Sequence, residues 1–105
     1  MPAEQPLTES TYLILATLTT PKHGYAIMKE VEDLTGGTVQ LGPGTLYGVL
    51  KSMVKKELII EQSSSDPRRR MYVITDKGVE VMKRETTRLE MLVIIGKKSL
   101  GREEI

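Results

Sequence analysis

Three consecutive arginines, Arg68, Arg69 and Arg70, carry the most concentrated chemistry in this chain of 105 residues. Guanidinium groups stay charged at any working pH, and their planar forks suit phosphate oxygens. A second set stands at Pro43, Gly44 and Thr45, with Tyr47 and Lys51 close behind. Pro43 fits the first position of a helix, where its missing N–H costs nothing. Gly44 and Thr45 then offer a bare backbone and a hydroxyl at a helix start, which is what close approach to a base edge needs. Lys51, Lys55 and Lys56 add charge along the same helix.

Covalent and metal chemistry lack their parts. The chain has no cysteine and one histidine, His23. Thiol nucleophiles, thiolate zinc and multi-histidine metal sites are therefore excluded, and neither a catalytic residue nor a cofactor is expected. Glu30, Glu32 and Asp33 share the polar face of one helix, where solvation explains them. Gly36-Gly37 and Gly42-Pro43-Gly44 do not have the spacing of a phosphate-cradling loop. Hydrophobic residues make up 39% and charged residues 28%, the balance of a folded soluble domain. No apolar run approaches the ~20 residues of a membrane span, and the first ten residues lack the features of a signal peptide, so a cytoplasmic protein is expected.

The net charge of +1 is uninformative, but its distribution is not. Residues 1–42 carry two lysines against five acids, residues 43–75 six basic groups against three acids, and residues 76–105 are nearly balanced. Positive charge thus sits in the middle block, where a binding face would need it.

The elements that must position these groups follow from periodicity and punctuation. Thr8 caps a first helix that is apolar on most sides and ends at Thr19–Gly24. A second helix runs from about Gly24 to Thr35, with Ile27, Val31 and Leu34 on one face, and Gly36-Gly37 stops it. Val39 and Leu41 alternate around Gln40 as a very short strand would. The third helix begins at Pro43 and buries Leu46, Leu50 and Met53. Leu58–Gln62 and Met71–Ile74 read as two strands of a hairpin joined by a polar loop. Thr75 caps the last helix, on which Val79, Met82, Thr86, Leu89, Val93, Gly96 and Leu100 step by three and four. Leu92 and Ile95 widen that stripe, and a subunit this small cannot cover it alone.

The expected fold is mainly α with a small β-hairpin: a winged helix-turn-helix over residues 1–75 and a C-terminal dimerisation helix over 76–105. In such a fold the third helix enters the major groove and the hairpin wing reaches sugar and phosphate. HGYAIMKEV at 23–31, PGTLYGVLKSMVKKELI at 43–59 and RRRMYVITDKG at 68–78 resemble the PadR family of bacterial transcriptional regulators. By length the chain is similar to the short subfamily with a single C-terminal helix. Glu57 stands where the family usually has Gly, and Met71 replaces the first of two usual wing tyrosines.

The resemblance implies a repressor that binds a palindromic operator as a homodimer and releases it when a small-molecule effector binds. The residue chemistry and the resemblance together place DNA contacts on Tyr25, Gly44, Thr45, Tyr47, Lys51, Arg68, Arg69, Arg70 and Tyr72, although Tyr25, Tyr47 and Tyr72 could equally serve the core. The resemblance places the dimer interface on Leu13, Leu18, Val79, Met82, Thr86, Leu89, Leu92 and Val93, where an effector cavity or a solid core would form. A winged-helix module that binds protein rather than DNA is the alternative.

Overall fold

The computed structural model describes residues 6–62, 66 and 69–101. The elements are α1 Glu9–Thr17, β1 Lys22–His23, α2 Gly24–Leu34, α3 Pro43–Lys55, β2 Ile59–Gln62, β3 Met71–Ile74 and α4 Asp76–Leu100. Thr8 caps α1 as expected, its hydroxyl accepting the Thr11 N–H at 3.1 Å. At the other end the Lys22 ammonium donates to the Thr17 carbonyl at 2.7 Å and to the Thr20 hydroxyl at 2.8 Å. The same ammonium pairs with Glu30 of α2 at 3.2 Å, so one side chain satisfies a helix end and ties two helices together.

Gly36 and Gly37 terminate α2 with φ of +60° and +83°, a conformation that glycine adopts without steric cost. The Val39–Leu41 segment is irregular chain rather than the short strand its alternation suggests. Val39 and Leu41 pack on the core, and the Val39 N–H goes to the Thr35 hydroxyl at 3.1 Å. Alternation reports burial, whereas a strand also needs an open edge to pair with. That edge is taken by Lys22 and His23, which lie antiparallel to Tyr72 and Met71. The sheet therefore has three strands in the order β1-β3-β2, the expected hairpin plus one short strand.

The core gathers Ile14, Leu15 and Leu18 from the first helix and its end, Ile27 and Val31 from α2, and Leu46, Leu50 and Met53 from α3. Leu58, Ile59, Tyr72 and Val81 complete it. Leu18 is 0% exposed within the subunit. The expectation that it meets a partner is therefore corrected: it has no surface to offer.

Helix α4 starts at its expected cap, with the Thr75 hydroxyl accepting the Gly78 N–H at 3.0 Å and donating to the Glu57 carbonyl at 2.7 Å. Its inward face is Gly78, Val81 and Glu85, one residue out of step with the stripe read from Val79, Met82 and Thr86. The reason is Gly78, whose missing side chain lets the helix lie against the Leu58 carbonyl and the Ile74 side chain. Met82 still touches the edge of the core, and Thr86 shares a 2.7 Å hydrogen bond with the Tyr12 hydroxyl. Glu85 is buried and bound by the Arg88 fork, with its shortest contact at 2.8 Å. The Arg88 hydrogen bonds, followed by one from the Leu7 backbone, outweigh burial and hold the Glu85 carboxyl below its usual value.

Glu57 closes the turn between α3 and β2 at φ +63°, the left-handed region. The turn keeps the form that suits glycine and carries the cost of a side chain, about 1 kcal/mol. Replacing Glu57 by Gly should accordingly raise unfolding free energy by about 1 kcal/mol in urea titrations, while Gly78→Ala should lower it by about 2 kcal/mol because the new Cβ meets backbone. Glu85 gives a pH signature. A carboxyl held below its unfolded value stabilises above the ordinary 4.5, and that stabilisation is lost as pH falls through the lower folded value. The difference in melting temperature between the native protein and Glu85→Gln should thus be constant near neutrality and shrink only below about pH 4.5.

Candidate nucleic-acid interface

Pairing of β1 with β3 brings the start of α2 beside the wing. Gly24 opens α2 directly after β1, and the Tyr47 ring of α3 lies against it. A Cβ at Gly24 would collide with the Tyr47 hydroxyl and stand 3.2 Å from Leu46. This close approach sets the spacing of α2 and α3 and aims both exposed tyrosines outward. Tyr25 is 69% and Tyr47 50% exposed, so neither serves mainly as core.

A cleft of about 540 Å³ results, lined by His23, Gly24, Tyr25, Tyr47, Arg69, Arg70 and Tyr72. Five of the residues singled out in the sequence as DNA contacts therefore meet in one concavity. Gly44, Thr45 and Lys51 lie exposed on α3 outside that lining. Gly44, Tyr47 and Lys51 stand at i, i+3 and i+7, which makes them one helix face continuous with the cleft. Arg68 lies outside the described residues.

Tyr72 is divided in its duties. Its ring is buried in the core while its residue lines the cleft. Burial first, and then the facing Glu61 carboxylate, push the phenol above its usual value, so it remains a neutral hydroxyl. Arg70 donates from Nη1 to Glu61 Oε2 at 3.0 Å, and both side chains remain substantially exposed. The Arg69 N–H is held by the Asp66 carbonyl at 2.9 Å. Tyrosine hydroxyls and two guanidinium groups around one open cleft can bind an anion, and a nucleic-acid backbone presents anions in series.

The sequence gives no binding role to His23 or Glu61. His23 enters the cleft through the β1–β3 pairing, for which two residues leave no periodic signal. Glu61 enters through the hairpin register, which sets it opposite Tyr72 and is fixed only once the strands pair.

A helical trio carrying a wing, with a basic aromatic cleft beside the start of its third helix, is a winged helix-turn-helix of the DNA-binding regulator class. Residues 13–84 match the Transcriptional regulator PadR-like family, and the chain belongs to that family, whose members are transcriptional regulators rather than enzymes. A transcriptional regulator from Clostridium thermocellum is 25% identical with a TM-score of 0.77, the match covering 84% of this chain and 86% of that one. A PadR-family regulator from Eggerthella lenta is 24% identical with a TM-score of 0.77, over 87% of this chain and 80% of that one, and supports the fold. An uncharacterised 37.1 kDa protein of a Streptomyces fradiae transposon is 36% identical over 80 residues, which are 73% of this chain and 22% of the relative. The chain thus spans about a fifth of the length of that curated relative.

Apart from the fully buried Leu18, the dimer residues read from the sequence fall into two groups. Leu13, Val79, Met82, Thr86 and Leu89 are half-buried within the subunit, and Thr86 is tied to Tyr12 of α1. Leu92 and Val93 are exposed, within a run from Met91 to Ile95 whose residues are each 46–54% exposed. Five consecutive apolar residues point around the whole helix, because each step turns it by about 100°. Among the described residues no helix is long and apolar enough to cross a membrane.

Proposed function

We propose that this regulator is a homodimeric repressor that binds a palindromic operator, reading bases with the start of α3 and gripping phosphates with the wing. The observation that carries the reading is the cleft in which Tyr25, Tyr47, Arg69 and Arg70 converge beside the exposed face of α3. Tyr47 and the arginines hold the duplex backbone, Thr45 at the helix start meets base edges, and Lys51 adds a further phosphate contact. Arg68, next to these arginines in sequence, shares their role.

The Met91–Ile95 run supports self-association. An apolar segment open on every side of a helix is costly in water, and a second copy of the same helix would cover it through a two-fold, self-complementary contact. Two reading helices would then address half-sites about one helical turn apart. A second cleft of about 580 Å³ lies behind α3, with Leu7, Val49, Met53, Leu58 and Val81 in its lining. It supports a site for an effector that acts on the reading helix from the rear, away from the tail where sequence reading placed it.

Selection of duplexes from a random pool, with affinity then measured at two salt concentrations, tests the reading. An enriched palindrome and a steep loss of affinity with salt are expected. Replacing Arg69 and Arg70 by Ala should weaken binding to all sequences and reduce the logarithmic salt slope by about 0.9 for each phosphate no longer neutralised. Replacing Thr45 by Val should shift sequence preference instead. Salt-insensitive capture of a protein with no DNA retained would replace this reading by the protein-binding alternative. Sedimentation should give a dimer for the native chain and a monomer for the Leu92→Glu, Val93→Glu double variant. A melting screen with apolar and aromatic compounds should show a rise for an effector, and that rise should vanish when Val49→Trp fills the rear cleft.

A further inference from the structure

In the free subunit Arg70, which lines the cleft, is already engaged. Glu61 stands opposite Tyr72 in the β2–β3 register, and Arg70 precedes Tyr72 by two residues. The two charged side chains therefore project from the same face of the wing as diagonal cross-strand neighbours, and they meet at 3.0 Å. That face is the one the cleft opens on, since Arg70 and Tyr72 both line it. An acid at this point works against anion binding in two ways. It occupies guanidinium N–H groups that a phosphate would use, and it places a negative charge beside the approaching backbone.

We infer that Glu61 is a positioning residue that restrains the wing: it holds Arg70 in the free protein and competes with a backbone phosphate for it. The inference rests on the DNA-binding reading above and adds to it a term that acts on all sequences alike. Phosphate contacts supply most of the affinity for any duplex and none of the sequence information. A carboxylate that weakens one such contact lowers the background grip and leaves base reading by α3 untouched. The pair contributes little to folding, because both side chains keep much of their solvent, with 70% of Arg70 and 40% of Glu61 exposed.

The restraint is tested with the full-length chain and a duplex of arbitrary sequence, using fluorescence anisotropy at low and at physiological salt. Glu61→Gln should tighten binding about fivefold at low salt, with a smaller gain at physiological salt and a melting temperature within about 3 °C of the native one. Glu80→Gln serves as the matched control. Glu80 is another exposed acid in an ion pair, 3.7 Å from Lys83 on α4, and its removal changes net charge equally. Its affinity should stay within about twofold of the native protein. Unchanged or weakened binding by Glu61→Gln would overturn the restraint, and so would an equal gain from Glu80→Gln, which would reduce the effect to net charge. If the native chain and both variants bind no duplex, the DNA-binding reading itself fails and takes the restraint with it.

Discussion

The middle strand of the small sheet determines where everything else stands. β3 hydrogen-bonds to β2 on one edge and to the two residues of β1 on the other. Just past its pairing with β1 the Ile74 N–H reaches the Leu18 carbonyl at 2.8 Å, and the next N–H, of Thr75, reaches the Leu58 carbonyl at 3.0 Å. The five residues from Met71 to Thr75 thus join the end of α1, the start of α2, the end of α3 and the start of α4. The β1 pairing is short, yet it makes the cleft: it is what carries His23, Gly24 and Tyr25 to the wing arginines. Tyr72 sits at the centre of this arrangement, facing Lys22 across one edge and Glu61 across the other. Its buried ring makes the wing a continuation of the core, so the arginines beyond it project from a supported strand.

Much of this was legible in the residues. Thr8 and Thr75 as caps, Pro43 as a helix start and the paired glycines after α2 are local signals, and local signals survive folding because the groups that satisfy them are a few residues away. The hairpin was legible for the same reason. What escaped was set by contacts distant in sequence. Lys22 and His23 form a strand because β3 leaves them an edge. The inward face of α4 is turned by one residue because Gly78 permits a close approach to backbone, and an apolar stripe counted along the helix cannot register an absent side chain. Of the candidate site, residue types were legible and their convergence was not. The spacing from Tyr25 to Arg70 says nothing until α2 and the wing are joined through β1.

Glu57 shows how a family pattern and a conformation can part. The turn after α3 keeps φ at +63° although the residue there is not glycine. The fold demands that geometry because two backbone carbonyls depend on it: Met53 accepts the Leu58 N–H at 2.9 Å, and Glu57 itself accepts the Thr75 hydroxyl at 2.7 Å. These bonds link α3, the wing and α4 through a single turn, and their loss would expose more than the ~1 kcal/mol of strain that keeping them costs. The backbone is retained and the side chain tolerates it.

The two ends of the molecule then make complementary demands. The reading head is a well-filled core with a modest basic cleft, in which one of the wing's charges is tempered by Glu61. The far half of α4 carries an apolar run, Met91 to Ile95, left open by its own subunit. On the proposed reading, a single head with a tempered grip would hold any one stretch of backbone less tightly than an unrestrained one. In the proposed dimer, two heads joined through the tail would multiply their affinities for bases wherever a second half-site falls under the second head. Lowering the phosphate grip of each head costs every duplex alike, so it leaves the contrast between operator and background to the bases and to their spacing. In the proposed dimer, discrimination would therefore rest on the spacing between half-sites as well as on the bases that α3 can touch.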